Sequence, residues 1–181
     1  EIKVPDASWF YRLTTAFDDR YIRLAKAIAS PRVRCVSFDI FDTAVVRPFY
    51  RPTDLFLLME EEFHRLVPDE SRGFGFLRVM AERELRRKTI YCSKPVREEV
   101  TLEQIYQELR ESTGISSEIA AAMMELECRL EIRFCRARKS IRNLYQMALA
   151  CGKKVYFTTD MYLPRQTIEA ILTGNGYGTY E

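Results

Sequence analysis

Apolar residues along the chain recur either every three to four positions or in short unbroken runs. From residue 7 to 29, Trp9, Phe10, Leu13, Phe17, Tyr21, Leu24 and Ile28 keep helical spacing. Ser30-Pro31 ends that helix, because the residue before proline is pushed out of the helical region. Val33, Cys35, Val36 and Phe38 then form a run too short for a helix and rich in strand formers, which predicts a buried parallel strand. A second such strand is predicted over Lys154 to Thr158. Between them the helical period returns repeatedly. It predicts helices from Pro52-Thr53-Asp54 to about Leu66, from about Glu70 to Lys88, from Thr101 to Gly114, from Ser117 to Arg136 and from Ser140 to Ala150. Thr101-Leu102-Glu103-Gln104 has the form of a capping box, Gly152 is a helix stop, and Tyr91 to Val100 reads as a loop around Pro95. A last helix covers Pro164 to Leu172. The glycines of Gly174-Asn175-Gly176-Tyr177-Gly178 follow a helix rather than a strand, so they predict a turn into a third strand and not a phosphate loop.

Parallel strands joined by helical crossovers make an α/β fold. The crossover here is far longer than one helix requires. Residues 48–138 are therefore predicted to form a helical lobe inserted into an α/β core of residues 1–47 and 139–181, with hinges near Arg47-Pro48 and Arg138-Lys139. A chain of 181 residues, 47% of them hydrophobic, is long enough to bury such a core.

Charge narrows the partners. Twenty-eight basic and 26 acidic residues are interleaved for a net charge of +2, which gives no field for nucleic acid or a membrane surface. No run spans a bilayer, and the first residues do not have the pattern of a signal peptide. Five cysteines without a Cys-x-x-Cys pair predict reduced thiols in the cytoplasm, with Cys128 and Cys135 in the core. His64 beside Glu60, Glu61 and Glu62 reads as a solvated side chain. Arg129, Arg133, Arg136, Arg138 and Arg142 suggest an anion-binding face, but Glu125, Glu127 and Glu131 among them favour a solvated helix laced with ion pairs.

The first strand delivers Asp39 to its carboxyl end, with Asp42 and Thr43 just beyond, at the end of an α/β sheet where ligands bind. Phe38-Asp39-Ile40-Phe41-Asp42-Thr43 resembles the first motif of the haloacid dehalogenase-like (HAD) hydrolases. Lys153-Lys154-Val155-Tyr156-Phe157-Thr158-Thr159-Asp160 resembles their second. With Arg47-Pro48 and the segment Thr159 to Pro164, the wording is similar to a bacterial subfamily of such hydrolases whose members occur alone or beside glycosyltransferase domains. The resemblance runs from Val33 to the end. It implies a Rossmann-like parallel sheet, an α-helical cap that closes over the site and selects a small phosphorylated substrate, and Mg²⁺ as cofactor. It also implies that Asp39 is the nucleophile and a metal ligand, and that Thr159 holds a phosphoryl oxygen, with Asp42, Thr43 and Asp160 as auxiliary groups.

Two departures keep alternatives open. The family's phosphatases carry a general acid two residues after the nucleophile, and here that residue is Phe41, which has no proton to give; Asp42 is the candidate replacement. An aromatic at this position is similar to the dehalogenase branch. After Thr159 the chain has no Lys, and its only acids are Asp160, Glu169 and Glu181. The family's Lys and acidic metal pair are thus expected outside these residues, and the chain by itself is expected to be inactive. The readings are a phosphatase-like hydrolase, a carbon–halogen hydrolase, and a non-catalytic scaffold of the same fold. The resemblance also puts the first strand in the middle of the sheet, which predicts an edge to be covered by a homodimer partner, a C-terminal domain or the N-terminal helix.

Overall fold

The structure is a computed structural model and describes residues 19–92 and 100–181. The expected helical turns over residues 7–18 and most of the predicted loop lie outside the described residues. The chain divides into two compact units. The first takes the described residues up to Val46, Arg136–Thr159 and Leu172–Glu181; the second takes Arg47–Cys135 and Asp160–Ile171.

The first unit is α/β. Helix α1 (Asp19–Ala29) leads to strand β1 (Cys35–Asp39) and the two-residue strand β2 (Val45–Val46). The chain returns as β3 (Arg136–Ala137), α6 (Lys139–Ala150) and β4 (Lys154–Thr158). β1 and β4 pair in parallel from Cys35 opposite Lys154 to Asp39 opposite Thr158, and β2 pairs antiparallel with β3. Because β1 and β4 are in register and side chains alternate, Val36, Phe38, Val155 and Phe157 share one face. α6 packs on β4 and α1 packs on α6. Tyr21, Ala25 and Ile28 of α1 and Leu144, Tyr145 and Ala148 of α6 are buried. Phe157 is the hub of the aromatic packing, with ring centroids 5.8 Å from Phe38, 5.9 Å from Tyr145 and 5.3 Å from Tyr177.

The opposite face corrects the expectation of a buried strand. Cys35, Ser37, Asp39, Lys154, Tyr156 and Thr158 are all exposed. β1 is thus half-buried, since no described element covers its second face, and no described strand pairs with its second edge. No third strand forms among the described residues; the segment meets β4 through Glu181 N–H, which donates to the Val155 carbonyl at 2.8 Å, and through the Tyr180 ring, its centroid 5.4 Å from that of Phe157.

The second unit is helical: a 3-10 helix (Pro52–Met59), α2 (Glu60–Leu66), α3 (Phe74–Cys92), α4 (Leu102–Thr113), α5 (Ser117–Phe134) and most of α7 (Arg165–Gly174). The first predicted helix begins as a 3-10 segment with proline in its first turn and buries Leu55, Phe56 and Met59. α3 starts later than its hydrophobic period suggests because its amino end is capped from outside. The Glu60 carboxylate accepts from Phe74 N–H at 2.6 Å and from Gly75 N–H at 3.0 Å. A Cβ on Gly73 would lie 3.1 Å from that carboxylate, so the glycine serves this close approach. α3 also runs through Tyr91 and Cys92, which the sequence places in the loop. The capping box forms: Thr101 Oγ1 accepts from Gln104 N–H, and Gln104 Oε1 from Thr101 N–H.

α5 is the main departure from the hydrophobic pattern. It ends at Phe134 rather than Arg136, because the chain turns extended to enter β3. Its Met124, Leu126, Leu130 and Phe134 are only half-buried, whereas Glu127 and Glu131 are buried. Neither glutamate is a solvated partner of the neighbouring arginines. Glu127 takes a bidentate bond from Arg78, and Glu131 pairs with Arg47 at 2.8 Å. Of the predicted core thiols, Cys135 is buried and Cys128 half-buried.

Cys135 donates its thiol to Glu131 at 3.5 Å, and burial, followed by the Glu131 charge, pushes its pKa up to about 12. A thiol that stays protonated and buried is unreactive, whereas Cys35 is exposed. Iodoacetamide at pH 8 is expected to alkylate Cys35 within minutes and to leave Cys135 unmodified until the protein is denatured, as read by peptide mass spectrometry. Equal labelling of the two in native protein would contradict the placement of Cys135.

Candidate functional site

The register of β1 and β4 brings two of the predicted site residues to one end of one sheet. Asp39 is the last residue of β1, opposite Thr158, and Thr159 follows directly on β4. Both Asp39 and Thr159 are exposed. Strand alternation puts Asp39 on the uncovered face, beside Ser37 and Thr158, whose hydroxyls lie 3.4 Å apart. Asp160 falls in the helical unit.

Beyond Asp39 the backbone reverses, and almost every carbonyl of the reversal is held. Ile40 turns into the core, and its N–H donates to the Thr158 carbonyl at 3.2 Å. Asp39 C=O accepts from Ala44 N–H at 3.2 Å and Ile40 C=O from Val45 N–H at 2.9 Å. Between these closures Asp42 has φ +57°, the left-handed region; it is the one non-glycine residue there among the described residues. Asp tolerates that conformation better than most residues, because its short polar side chain bonds locally. Positive φ in a residue with a side chain persists where surrounding contacts over-determine it, and such places cluster at functional sites.

The contacts that over-determine it come from the other chain segments of the unit. Arg138 Nη2 donates to the Asp42 carbonyl at 2.8 Å, and Arg138 Nε to the Thr43 carbonyl at 3.1 Å. The Ala44 carbonyl accepts both the Arg138 N–H at 2.8 Å and the buried Tyr177 hydroxyl at 2.8 Å. Asn175 Oδ1 accepts from Ala137 N–H at 2.6 Å, tying β3 to the turn after α7. The glycine-rich stretch thus returns Asn175 to β3 and Tyr177 to the Asp42 reversal. Arg138, Asn175 and Tyr177 were not singled out as site residues by sequence reasoning. The signals were the place of Arg138 at a predicted hinge and in the arginine row set aside as ion-paired, and the place of Asn175 and Tyr177 in the predicted turn.

Phe41 lies inside this reversal, half-buried and bridged to Val45. Its side chain carries no polar group, and the polar residues that follow Asp39 in the reversal are Asp42 and Thr43. Among the described residues no three His, Cys, Asp or Glu side chains assemble as a metal-binding group. A Mg²⁺ ion asks for about six oxygen ligands, and the described residues at this end of the sheet do not assemble such a set around the Asp39 carboxylate. No described helix is long and apolar enough to cross a membrane. No family model matches the chain, and no curated protein matches it.

Proposed function

We propose that this chain carries the nucleophile end of an Asp-dependent hydrolase of small phosphorylated molecules, related to the HAD hydrolases. The observation that carries the reading is Asp39, exposed at the carboxyl end of β1 opposite Thr158, the last residue of β4, with Thr159 next in the chain. In this mechanism an Asp39 carboxylate oxygen attacks phosphorus and the bond to the leaving oxygen breaks, giving an aspartyl phosphate. The Thr159 hydroxyl orients a phosphoryl oxygen, and the Asp42 carboxyl, when protonated, gives its proton to the leaving alkoxide. Water then attacks phosphorus, giving a proton to the Asp42 carboxylate left by the first step, and the Asp39 carboxylate departs. Any cation that neutralises the phosphoryl oxygens in this scheme is supplied from beyond the residues that assemble here. The uncovered edge of β1 suits the addition of a strand, from a second copy of the chain or from another segment of the protein.

Phe41 favours a second reading, a carbon–halogen hydrolase, in which Asp39 forms an ester with carbon. One experiment separates the two. A single turnover of the full-length protein in ¹⁸O-water places the label according to the atom that water attacks. Hydrolysis of an acyl phosphate at phosphorus puts ¹⁸O in inorganic phosphate. Hydrolysis of a carbon ester at its carbonyl puts ¹⁸O in the Asp39 side chain. The expected result is labelled phosphate and an unlabelled peptide containing Asp39. Label in that peptide would replace the phosphatase by the dehalogenase, and no turnover on phosphate esters or haloacids would leave the fold as a scaffold.

A further inference from the structure

We infer that Arg138 is a positioning residue of this site, a staple that holds the Asp42 reversal in the shape that presents Asp39 and Asp42. Three successive carbonyls converge on this one residue: Asp42 and Thr43 on its guanidinium, and Ala44 on its backbone N–H. Two of the bonds use Nε and Nη2, the parallel donors of the guanidinium fork, which match a pair of acceptors in a way that the single ammonium of lysine does not. The staple is itself fixed, because Arg138 immediately precedes α6, a twelve-residue helix packed on the sheet. It grips the reversal where the backbone is least able to hold itself, at the left-handed Asp42. The far side of the reversal closes on the nucleophile's own peptide, since Ala44 N–H donates to the Asp39 carbonyl. A shift of residues 42–44 is therefore transmitted to Asp39 through one hydrogen bond. Displacements of about 1 Å at a reacting group cost on the order of 10²-fold in rate.

Arg138 is exposed, so its removal opens no cavity and the variants are expected to fold. This inference rests on the reading of Asp39 as nucleophile, and the test separates the two. Amide exchange by NMR is measured on wild type, Arg138→Ala and Arg138→Lys, following the Ala44 and Val45 amides that close the reversal. In Arg138→Ala these two amides are expected to exchange at least about tenfold faster, while amides of β4 keep their wild-type rates, as local opening requires. In the full-length protein, turnover of the substrate found in the ¹⁸O experiment is expected to fall by about 10²-fold in kcat with KM little changed. Guanidinium chloride, well below denaturing concentration, is expected to restore part of kcat to Arg138→Ala, and Arg138→Lys to restore less than the free guanidinium. Unchanged exchange at Ala44 and Val45 would overturn the staple whatever the activity. A rise in KM alone would overturn it in favour of direct substrate contact. Loss of exchange protection together with turnover that does not depend on Asp39 would keep the staple and overturn the nucleophile.

Discussion

Asp39→Asn is expected to lower hydrolysis by the full-length protein at least about 10³-fold, the scale on which enzymes lose turnover with their nucleophile. The amide is nearly isosteric with the carboxylate but has no anionic oxygen to attack phosphorus or carbon. The fold uses the Asp39 backbone, whose carbonyl accepts from Ala44, and the side chain is exposed. The substitution is therefore expected to leave stability within about 0.5 kcal/mol of wild type, as exposed sites away from special features do. Paired measurements of thermal unfolding and turnover decide the matter. Intact folding with lost turnover assigns the chemistry to the Asp39 side chain. Intact folding with unchanged turnover removes Asp39 from the mechanism and both hydrolase readings with it. The Asp42→Asn variant refines the result. If Asp42 gives the leaving-group proton, the loss is expected to be largest for substrates with poor leaving groups and to shrink for an activated aryl phosphate, where little protonation is needed.

The first unit was legible in the sequence because its signals are local. A short run of strand formers, a carboxylate at its end and a helical period on either side are each read within about ten residues. They yielded β1, β4 and α6, whereas the expectation that Asp39 and Thr159 lie at one end of the sheet came from the resemblance of the two motifs. Half-burial of β1 was not legible, because an apolar run does not reveal whether one or both faces of a strand are covered. Thr101 and Gln104 were legible as a cap because the capping box is closed within four residues. Glu127 and Glu131 were misread because the sequence offers them Arg129 and Arg133 only two positions away, whereas their partners, Arg78 and Arg47, are 49 and 84 residues distant. Arg138 was hidden in the same way. Its acceptors are backbone carbonyls 95 and 96 residues earlier, and a carbonyl leaves no mark on residue type. In this chain what sequence reasoning loses is long-range polar pairing, and much of what positions the candidate site is of that kind.

The same kind of pairing sets the largest expected stability effect. Glu127→Leu is expected to lower the unfolding free energy by about 3–5 kcal/mol, the range for removing one member of a buried ion pair. Arg78 and Glu127 are both fully buried, and two guanidinium bonds of 2.9 Å join them. Burial alone would lower the Arg78 pKa, but the charge of Glu127 and the neighbouring Tyr162 outweigh it and hold the guanidinium charged. Without Glu127 that charge has no neutral form to retreat to. Glu82, 3.1 Å away and partly exposed, remains as a weaker partner. The rings of Tyr162, Phe56 and Tyr106, with centroids 4.9, 5.1 and 5.6 Å from the guanidinium carbon, still offer cation–π attraction. These survivors place the expected cost toward 3 kcal/mol, which in a chain of this size lowers Tm by roughly 6–12 °C. Tyr106 adds to the loss, because its hydroxyl donates to Glu127 at 2.8 Å and is left unpaired. Arg78→Met/Glu127→Leu removes both charges and fills the space with apolar groups, so it is expected to be clearly more stable than Glu127→Leu alone. Equilibrium denaturation of the two single variants and the double variant gives the coupling energy directly. A coupling below about 1 kcal/mol, the level of an exposed ion pair, would mean that water reaches Arg78 and that the helical unit does not depend on this pair.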